Sequence, residues 1–315
     1  AAAGASATMV VATTAFDADH AAVHDHHTAA QPSSMTDGTI TYPIDVAVKS
    51  RLAGETDPAV DEALLVEALV LHALKHDHIL GLVGISTSKL PFLVATEHMV
   101  NGDLKTYLRA CRPTQENAKA RITLLDVSMI AERIAKALAY LESVSVVHRD
   151  VAARNVLVGK TTTEVKLGDL GAARSVFREV DREYTATSDH MPARWMALES
   201  LKAAIFSHKS DVWGFGVLCW ELTTMAQTPY GIMGIKDMID SLTTGTRLEE
   251  APLTPPGLYK QMLLCWSADP KRRPRFANLV SALSSIRGAL AVTHDGSVVL
   301  GSDSKLGANN APLAG

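Results

Sequence analysis

The sequence contains few cysteines, which limits the kinds of protein that it can encode. Cys111, Cys219 and Cys265 are the only three, they lie far apart, and no CxxC spacing occurs. Three thiols cannot all pair with one another, and two of them lie in apolar stretches with a helical pattern. We therefore expect buried free thiols in a reducing compartment such as the cytoplasm.

The chain also lacks a long apolar run and a strong charge of either sign. No stretch is apolar and long enough to span a bilayer, and residues 1–16 have no basic region of the kind that opens a signal peptide. The formal net charge is −4, and basic clusters such as residues 271–273 are short. Neither nucleic acid nor an anionic membrane is therefore expected as the main partner.

Apolar residues, by contrast, are plentiful, and composition divides the chain into three regions. Hydrophobic residues make up 47% of the 315 positions, which is ample for a folded protein. Residues 1–41 are rich in alanine, threonine, histidine and aspartate, and residues 42–290 carry dense signals for secondary structure. Residues 291–315 are small and polar, which predicts a loose tail.

Strand patterns come first in the central region, and helix patterns follow. Residues 44–49 alternate in character and are β-branched, which predicts a strand. Asp57 and Pro58 predict the cap and first turn of a helix. Its apolar positions recur every three or four residues, at Leu64, Leu65, Ala68, Leu71 and Leu74. Two more strands and two long helices are predicted at residues 79–85, 91–96, 124–141 and 211–223.

The most specific segment is residues 148–158, which read HRDVAARNVLV. Asp169-Leu170-Gly171 follows it. Together the two segments resemble the catalytic loop and the metal-binding motif of protein kinases. The resemblance implies that Asp150 orients and deprotonates the acceptor hydroxyl, and that Asn155 and Asp169 hold Mg²⁺ beside ATP.

Residues upstream of this loop resemble the nucleotide-binding part of the same family. Residues 46–49 read VAVK, and Glu67 lies on the predicted helix that follows. The resemblance implies that Lys49 pairs with the phosphates of ATP and with Glu67, and that residues 96–99 form the hinge beside the adenine. The residues that it assigns around the nucleotide are Ala47, Lys49, Thr96, Glu97, Met99, Leu157 and Asp169.

Two segments indicate tyrosine as the acceptor. Kinases that act on serine or threonine usually carry a lysine two residues after the catalytic aspartate, whereas this chain has Ala152-Ala153-Arg154. Residues 192–200 read PARWMALES and resemble the platform of tyrosine kinases, where the longer acceptor side chain needs a deeper shelf. The resemblance covers residues 44–290, is strongest to receptor tyrosine kinases, and adds Arg154 to the catalytic residues.

The phosphate-covering loop of the family, GxGxxG followed by valine, is hard to find. The best candidate is residues 4–11, which read GASATMVV and keep Gly4 as the first glycine and Val11 as the valine. Ser6 and Met9 occupy the other two glycine places, where a side chain in the left-handed region costs roughly 1–2 kcal/mol. An unrelated alanine-rich terminus explains the segment equally well. A pseudokinase scaffold with little turnover is therefore the alternative to an active enzyme.

Histidines are concentrated in the long stretch between this candidate loop and Lys49. They are His20, His24, His26 and His27. Their spacing admits a metal site, but no cage of cysteines or carboxylates accompanies them. An exposed polar insertion is therefore the favoured interpretation.

Two positions concern regulation. Leu170 takes the place of the family's phenylalanine and is expected to pack beneath the first predicted helix, near Leu71. Tyr184 resembles the tyrosine of an activation segment. Its phosphate would add about −1.5 to −2 charge and form hydrogen bonds with Arg149 or Arg174, which would order the segment.

Three further residues match structural positions of the family. Glu199 and Arg273 match a buried ion pair that fixes the large lobe, and breaking such a pair costs roughly 3–5 kcal/mol. Asp211 opens the second long helix and is expected to anchor the backbone of the catalytic loop, because a carboxylate in the core needs partners.

The predicted architecture is therefore an α+β protein with the bilobal protein-kinase fold. Residues 1–98 form the smaller, strand-rich lobe, residues 99–290 the larger helical lobe, and residues 291–315 a flexible tail. The resemblance implies ATP and Mg²⁺ as cofactors, and protein tyrosine as substrate, with a second copy of the chain as one such substrate in trans. The expected location is the cytoplasm, either free or as the intracellular part of a membrane receptor attached through an upstream segment.

Overall fold

An antiparallel sheet forms the first part of the protein. The computed structural model describes residues 7–16, 34–36, 39–51, 54, 56–113, 122–175, 192–251 and 254–292. Within them, five strands belong to this sheet: β1 (Ala7–Phe16), β2 (Ser34–Thr36), β3 (Thr39–Arg51), β4 (Leu82–Ser86) and β5 (Leu93–Glu97). Strands β1, β3, β5 and β4 lie side by side in that order, and β2 pairs with the start of β3.

Strand β3 is longer than the sequence predicts. The predicted strand at residues 44–49 lies inside it, and β3 extends beyond that run at both ends. The extension is paired with β1, which supplies hydrogen-bond partners that a local sequence pattern does not show. The register places Val11 opposite Ala47 and Met9 opposite Lys49.

Helices make up most of the protein after β5. Those of the described residues are α1 (Pro58–Ala73), which lies between β3 and β4, and then α2 (Leu104–Ala110), α3 (Leu124–Ser143), α4 (Leu198–Ala203), α5 (His208–Thr223), α6 (Ile235–Thr243), α7 (Leu258–Cys265) and α8 (Phe276–Val292). No helix among the described residues combines the length and the apolar character that a membrane crossing requires. The predicted α+β class, with a small antiparallel sheet followed by a mainly helical part, is confirmed.

Helix α1 packs against the sheet, as its apolar spacing predicts. Asp57 caps it, since its carboxylate accepts a hydrogen bond from the backbone N–H of Ala59 at 2.9 Å. Leu64 and Ala68 are buried in a cluster with Val94 of β5. This packing holds α1 alongside β3, which is the strand that carries Lys49.

Helix α5 lies in the centre of the helical part. Fourteen of its residues, from Ser210 to Thr223, are buried, which confirms the prediction of a central helix that is apolar nearly all round. Its first turn is fixed by a capping box between Ser207 and Ser210. A helix that is surrounded in this way is a rigid support for the loops that contact it.

Two short pairs of antiparallel strands lie outside the main sheet. Strands β6 (Val146–Val147) and β9 (Arg174–Ser175) pair with each other, as do β7 (Val156–Val158) and β8 (Val165–Leu167). The predicted strand at residues 79–85 begins only at Leu82, because Ile79 instead forms an isolated bridge with Leu167 of β8. The N–H of Leu80 also donates to the carbonyl of Leu167 at 2.9 Å.

All three cysteines are buried, and Cys219 and Cys265 are free thiols, as the sequence predicts for them. Burial raises the pKa of the Cys265 thiol to about 12, and it raises the pKa of the Cys219 thiol as well. Both groups therefore remain protonated at neutral pH and pack as small apolar side chains.

Candidate active site

The loop after β6 is anchored by a single buried carboxylate. Asp211, in the first turn of α5, accepts hydrogen bonds from the backbone N–H groups of His148 at 2.8 Å and Arg149 at 2.9 Å. Burial raises the pKa of Asp211, and His148 and the two N–H donors oppose that rise. Asp211 therefore anchors this loop, as the sequence predicts, and it supports Arg149 at a positive φ of 70°.

Asp150 is held on both of its carboxylate oxygens. The side-chain amide of Asn155 donates to Asp150 Oδ2 at 2.8 Å and to the Asp150 backbone carbonyl at 2.7 Å. The guanidinium of Arg154 forms an ion pair with Asp150 Oδ1. These three predicted residues are thus in direct contact, and the carboxylate of Asp150 has a fixed orientation.

Asp169 lies next to this group because the β7–β8 hairpin returns the chain to it. The N–H of Gly168 donates to the carbonyl of Asn155 at 2.8 Å, which brings the side chains of Asn155 and Asp169 to the same end of the hairpin. Asp169 is in the left-handed region, with φ of 50°. A Cβ at Gly171 would lie 3.4 Å from Asp169 Oδ1, which is an ordinary van der Waals distance, so Gly171 packs beside this carboxylate.

Lys49 and Glu67 form the predicted ion pair between β3 and α1. The Lys49 ammonium lies 2.7 Å from Glu67 Oε2. Burial raises the pKa of Glu67, the nearby Lys49 lowers it, and the charge of Asp169 raises it further. Leu170 is fully buried in the same core cluster as Leu71 of α1, in agreement with the expected packing.

A second ion pair joins the same two elements, and sequence reasoning missed it. Arg51 lies two residues after Lys49 on β3, and its guanidinium is 3.3 Å from Asp61 Oδ2 on α1. The side chains of Arg51 and Asp61 are only 18% and 8% exposed. Asp61 Oδ1 has no hydrogen-bond partner among the described residues. Strand alternation, which puts Lys49 and Arg51 on one face, was the available signal.

The Arg51–Asp61 pair is expected to hold α1 against β3. Arg51→Met would leave the Asp61 carboxylate buried without a cation, which lowers the free energy of unfolding by about 1–3 kcal/mol. The double variant Arg51→Met/Asp61→Leu removes the orphaned charge and is expected to recover most of that loss. Denaturant unfolding of both variants measures the coupling. Losses that simply add in the double variant would show that the two side chains do not support each other.

The residues assigned to the nucleotide lie where β3, β5 and β7 meet. Ala47 is opposite Thr96 in the β3–β5 ladder, and Ala47 and Met99 are each 5% exposed. Leu157 of β7 forms an isolated bridge with Asp103, so it lies beside the segment that leaves β5. The structure therefore places Ala47 beside Thr96, and Leu157 beside the segment that follows β5, and the role of these residues at a nucleotide remains a prediction.

The side chain of Glu97 makes two contacts that the sequence did not predict. Its carboxylate lies 2.7 Å from the ammonium of Lys166 on β8 and accepts a hydrogen bond from the N–H of Gly81 at 2.5 Å. The side chain is thus directed towards β8 and the start of β4. The prediction that Glu97 lies at the adenine therefore concerns its backbone and remains a prediction.

Some predicted residues lie outside the described part of the chain. These are Gly4 of the candidate phosphate loop, the histidines between residues 20 and 27, and Tyr184. Val11 is described as part of the backbone of β1 only. The predictions that concern these residues remain predictions.

The segment at residues 192–200 forms a platform beside the loop that carries Asp150. The guanidinium carbon of Arg154 lies 4.6 Å from the centre of the Trp195 ring. Arg194 donates to the carbonyls of Pro229 at 3.2 Å and Met233 at 2.8 Å, which ties the platform to the loop before α6. The platform is therefore held on both sides by arginines that stack or donate.

The predicted ion pair between Glu199 and Arg273 connects the end of the platform to the helical part. Arg273 meets both carboxylate oxygens of Glu199, at 2.6 and 2.8 Å, and its side chain is 0% exposed. The same guanidinium also donates to the carbonyls of Ser267 at 2.9 Å and Lys209 at 2.8 Å. Every part of this cation is thus used in fixing the helical part.

The fold and this arrangement of residues are those of a protein kinase. A sequence profile that describes protein tyrosine and serine/threonine kinases matches residues 31–283. The chain belongs to that family.

Individual relatives narrow the class. Protein sevenless of Drosophila virilis is 37% identical over 256 residues, which cover 80% of this chain and 10% of that protein. The insulin receptor of Xenopus laevis is 38% identical over 221 residues, which cover 70% of this chain and 16% of the receptor. Human tyrosine-protein kinase ABL2 is 37% identical over 246 residues, which cover 78% of this chain and 20% of that kinase.

These relatives support a conclusion about the kinase domain but not about a whole protein that contains it. The prediction of a protein tyrosine kinase domain that is similar to receptor tyrosine kinases is confirmed. The chain spans between 10% and 20% of the length of the three relatives. What those longer proteins do as a whole therefore does not transfer directly to this chain.

Proposed function

We propose that this chain transfers the γ-phosphate of ATP to tyrosine side chains of proteins. One observation carries the proposal: the Lys49–Glu67 ion pair is closed at 2.7 Å, and Asp150 is at the same time held by Asn155 at 2.8 Å. Phosphoryl transfer depends mainly on positioning and on charge stabilisation. An arrangement in which both halves of the site are already ordered supports catalysis rather than a passive scaffold.

In this proposal Asp150 acts on the acceptor. One of its carboxylate oxygens takes the proton of the tyrosine hydroxyl as the phenolic oxygen forms a bond to the γ-phosphorus. The bond between that phosphorus and the bridging oxygen of ADP breaks. Arg154 and Asn155 hold the carboxylate so that it faces the hydroxyl, and Lys49 holds the phosphates of ATP.

Asn155 and Asp169 fit a role as magnesium ligands. Both offer hard oxygen donors, and Mg²⁺ in kinases is usually held by one or two such groups together with substrate phosphates and water. No cluster of three or more histidine, cysteine, aspartate or glutamate side chains suited to a metal is found among the described residues. When bound, the metal neutralises charge on the phosphates.

A direct assay tests this proposal. The chain is incubated with Mg²⁺, ATP and a peptide that contains one tyrosine and no serine or threonine, and the product is identified by mass spectrometry. The proposal predicts phosphotyrosine, and none when the tyrosine is replaced with phenylalanine. A folded protein that binds ATP and leaves the peptide unmodified would contradict it.

Regulation through Tyr184 is the next part of the proposal, with a second copy of the chain as the phosphorylating partner. Arg149 supports it, since its guanidinium carbon lies 5.2 Å from the centre of the Phe206 ring, next to the platform. In this proposal the guanidinium of Arg149 binds the phosphate on Tyr184. We expect prior incubation with ATP to raise the rate of peptide phosphorylation, and Tyr184→Phe to remove that increase. An equal increase in the variant, measured with the same peptide, would contradict this role.

A pseudokinase scaffold is the second candidate, and the residues Ser6 and Met9 favour it. The family pattern has glycine at both places. Met9, however, pairs with Lys49 inside the β1–β3 ladder, where the backbone is extended and glycine is not required. The argument for a scaffold thus rests on Ser6 and on the histidine-rich insertion that contains residues 20–27.

The proposal also covers the division of the chain into lobes and the location of the protein in the cell. We assign the smaller lobe to residues 1–98, the larger lobe to residues 99–290 and the tail to residues 291–315. The buried free thiols of Cys219 and Cys265 support a reducing location such as the cytoplasm. The name of one of these relatives, the insulin receptor, supports a receptor as the protein that carries this domain.

A further inference from the structure

A buried glutamate joins two segments of the site that are far apart in the sequence. Glu221 of α5 is 1% exposed. Its Oε2 accepts one hydrogen bond from the backbone N–H of Ala153 at 2.9 Å and another from the indole N–H of Trp195 at 2.9 Å. Ala153 lies in the loop that carries Asp150, and Trp195 belongs to the platform. One oxygen atom thus fixes both.

The same two segments are joined a second time through Arg154. Its guanidinium pairs with Asp150 and stacks on the ring of Trp195 at 4.6 Å. Glu221, Ala153, Arg154 and Trp195 therefore form a closed set of contacts around Asp150. A displacement of the platform would be passed to the carboxylate of Asp150 through this set.

Helix α5 makes this arrangement rigid. It already holds the other side of the loop through Asp211, and Glu221 is ten residues further along, which corresponds to about 15 Å of helix. Between the two carboxylates, a Cβ at Gly214 would lie 3.2 Å from Val151, so the helix lies directly against the loop. The loop is thus fixed on both sides of Asp150 by one helix.

The acceptor oxygen of Glu221, rather than its charge, makes the two contacts with the loop and the platform. Burial raises the pKa of Glu221, and the bonds from Trp195 and Ala153 and the charges of Arg154 and Lys105 oppose that rise. A buried charge is costly, whereas an uncharged amide would accept the same two hydrogen bonds through its oxygen. What the site requires from residue 221 is therefore an acceptor atom at a fixed place.

We propose that Glu221 is a positioning residue that sets the spacing between Asp150 and the acceptor platform, and that this spacing selects tyrosine over serine. The inference rests on the proposed function, and it adds the residue that controls the choice of acceptor. A phenol reaches further from its backbone than an alkyl hydroxyl. A platform held at one distance from Asp150 therefore suits only one of the two acceptors.

The test compares Glu221→Gln, which keeps the acceptor oxygen, with Glu221→Leu, which removes it. Tyrosine and serine forms of one peptide are assayed for kcat and KM, together with KM for ATP. We expect Glu221→Leu to lower the preference for tyrosine at least about tenfold, which corresponds to about 1.4 kcal/mol, with KM for ATP changed less than about twofold. Glu221→Gln is expected to restore the preference to within about threefold of the native value.

Three results would overturn the proposal. They are equal losses with both peptides, a Gln variant as impaired as the Leu variant, and an unchanged preference in Glu221→Leu. Should Glu221→Leu fail to fold, Trp195→Phe removes the indole donor to Glu221 and leaves a smaller ring for Arg154 to stack on, and the same loss of preference is expected there.

A second readout separates this proposal from the proposed function. Hydrogen exchange at the amide of Ala153 is expected to speed up in Glu221→Leu and to stay slow in Glu221→Gln, whether or not the protein turns over a peptide. A native protein inactive on both peptides would refute the proposed function. Exchange at Ala153 that is the same in all three proteins would refute the role of Glu221.

Discussion

Replacing Asp150 with asparagine is expected to lower the rate of peptide phosphorylation by a factor of about 10²–10⁴, the usual range for loss of a positioned general base. Asparagine has the same shape, so Arg154 keeps an oxygen to bind, but it cannot take the proton of the acceptor hydroxyl. Most of the residues assigned to ATP are elsewhere, on β3, β5 and β7. ATP binding, measured by calorimetry, is therefore expected to remain within about threefold of the native value.

A matched substitution away from the site serves as the control. Asp269→Asn makes the same chemical change at the cap of a short turn, where the Asp269 carboxylate accepts a hydrogen bond from the N–H of Lys271 at 2.9 Å. Asparagine caps such a turn as well as aspartate, so activity is expected to stay within about twofold of the native value. More than a tenth of native activity in Asp150→Asn would contradict its role as the base.

Removing the cation of the buried ion pair is expected to give the largest loss of stability. Arg273→Met leaves the Glu199 carboxylate without its partner, and it leaves the carbonyls of Ser267 and Lys209 without a donor. Breaking a buried pair on one side costs about 3–5 kcal/mol. For a domain of this size, that corresponds to a fall in Tm of about 6–20 °C, which differential scanning calorimetry measures.

The neighbouring Arg275 offers a control with the same change. Its guanidinium forms an ion pair with Glu142 at 3.1 Å, but the Arg275 side chain is 72% exposed. Glu142 is 13% exposed but keeps the hydrogen bond from the N–H of Phe276 at 3.2 Å. A pair with a solvent-exposed cation contributes about 0–1 kcal/mol, so Arg275→Met is expected to lower Tm by no more than about 4 °C. Equal shifts for Arg273→Met and Arg275→Met would show that burial of the Glu199–Arg273 pair has no special effect on stability.

The sequence was most informative where chemistry demands particular residues at fixed spacing. The loop from His148 to Asn155 and the following Asp169 identify the class of protein, and the structure brings them together. Asp211 and the pair between Glu199 and Arg273 were predicted for a similar reason, because a buried charge needs a partner. The geometry of the Lys49–Glu67 pair also agrees with its prediction.

Contacts between side chains that are distant in sequence were not predictable. The sequence pattern places Glu221 only on an apolar helix, since nothing local indicates that its carboxylate accepts hydrogen bonds from Ala153 and Trp195. The ion pair between Arg51 and Asp61 is not predictable for the same reason. The length of β3 was also underestimated, because pairing with β1 rather than the local alternation fixes its ends.

Site-resolved mass spectrometry of autophosphorylation tests the central claim most directly. The chain and its Asp150→Asn variant are each incubated with Mg²⁺ and ATP, and every tyrosine is examined for phosphate. We predict phosphotyrosine, including Tyr184, in the native protein and none in the variant. A folded native protein that is stabilised by ATP and yet carries no phosphate on any tyrosine would contradict the account and would favour a scaffold.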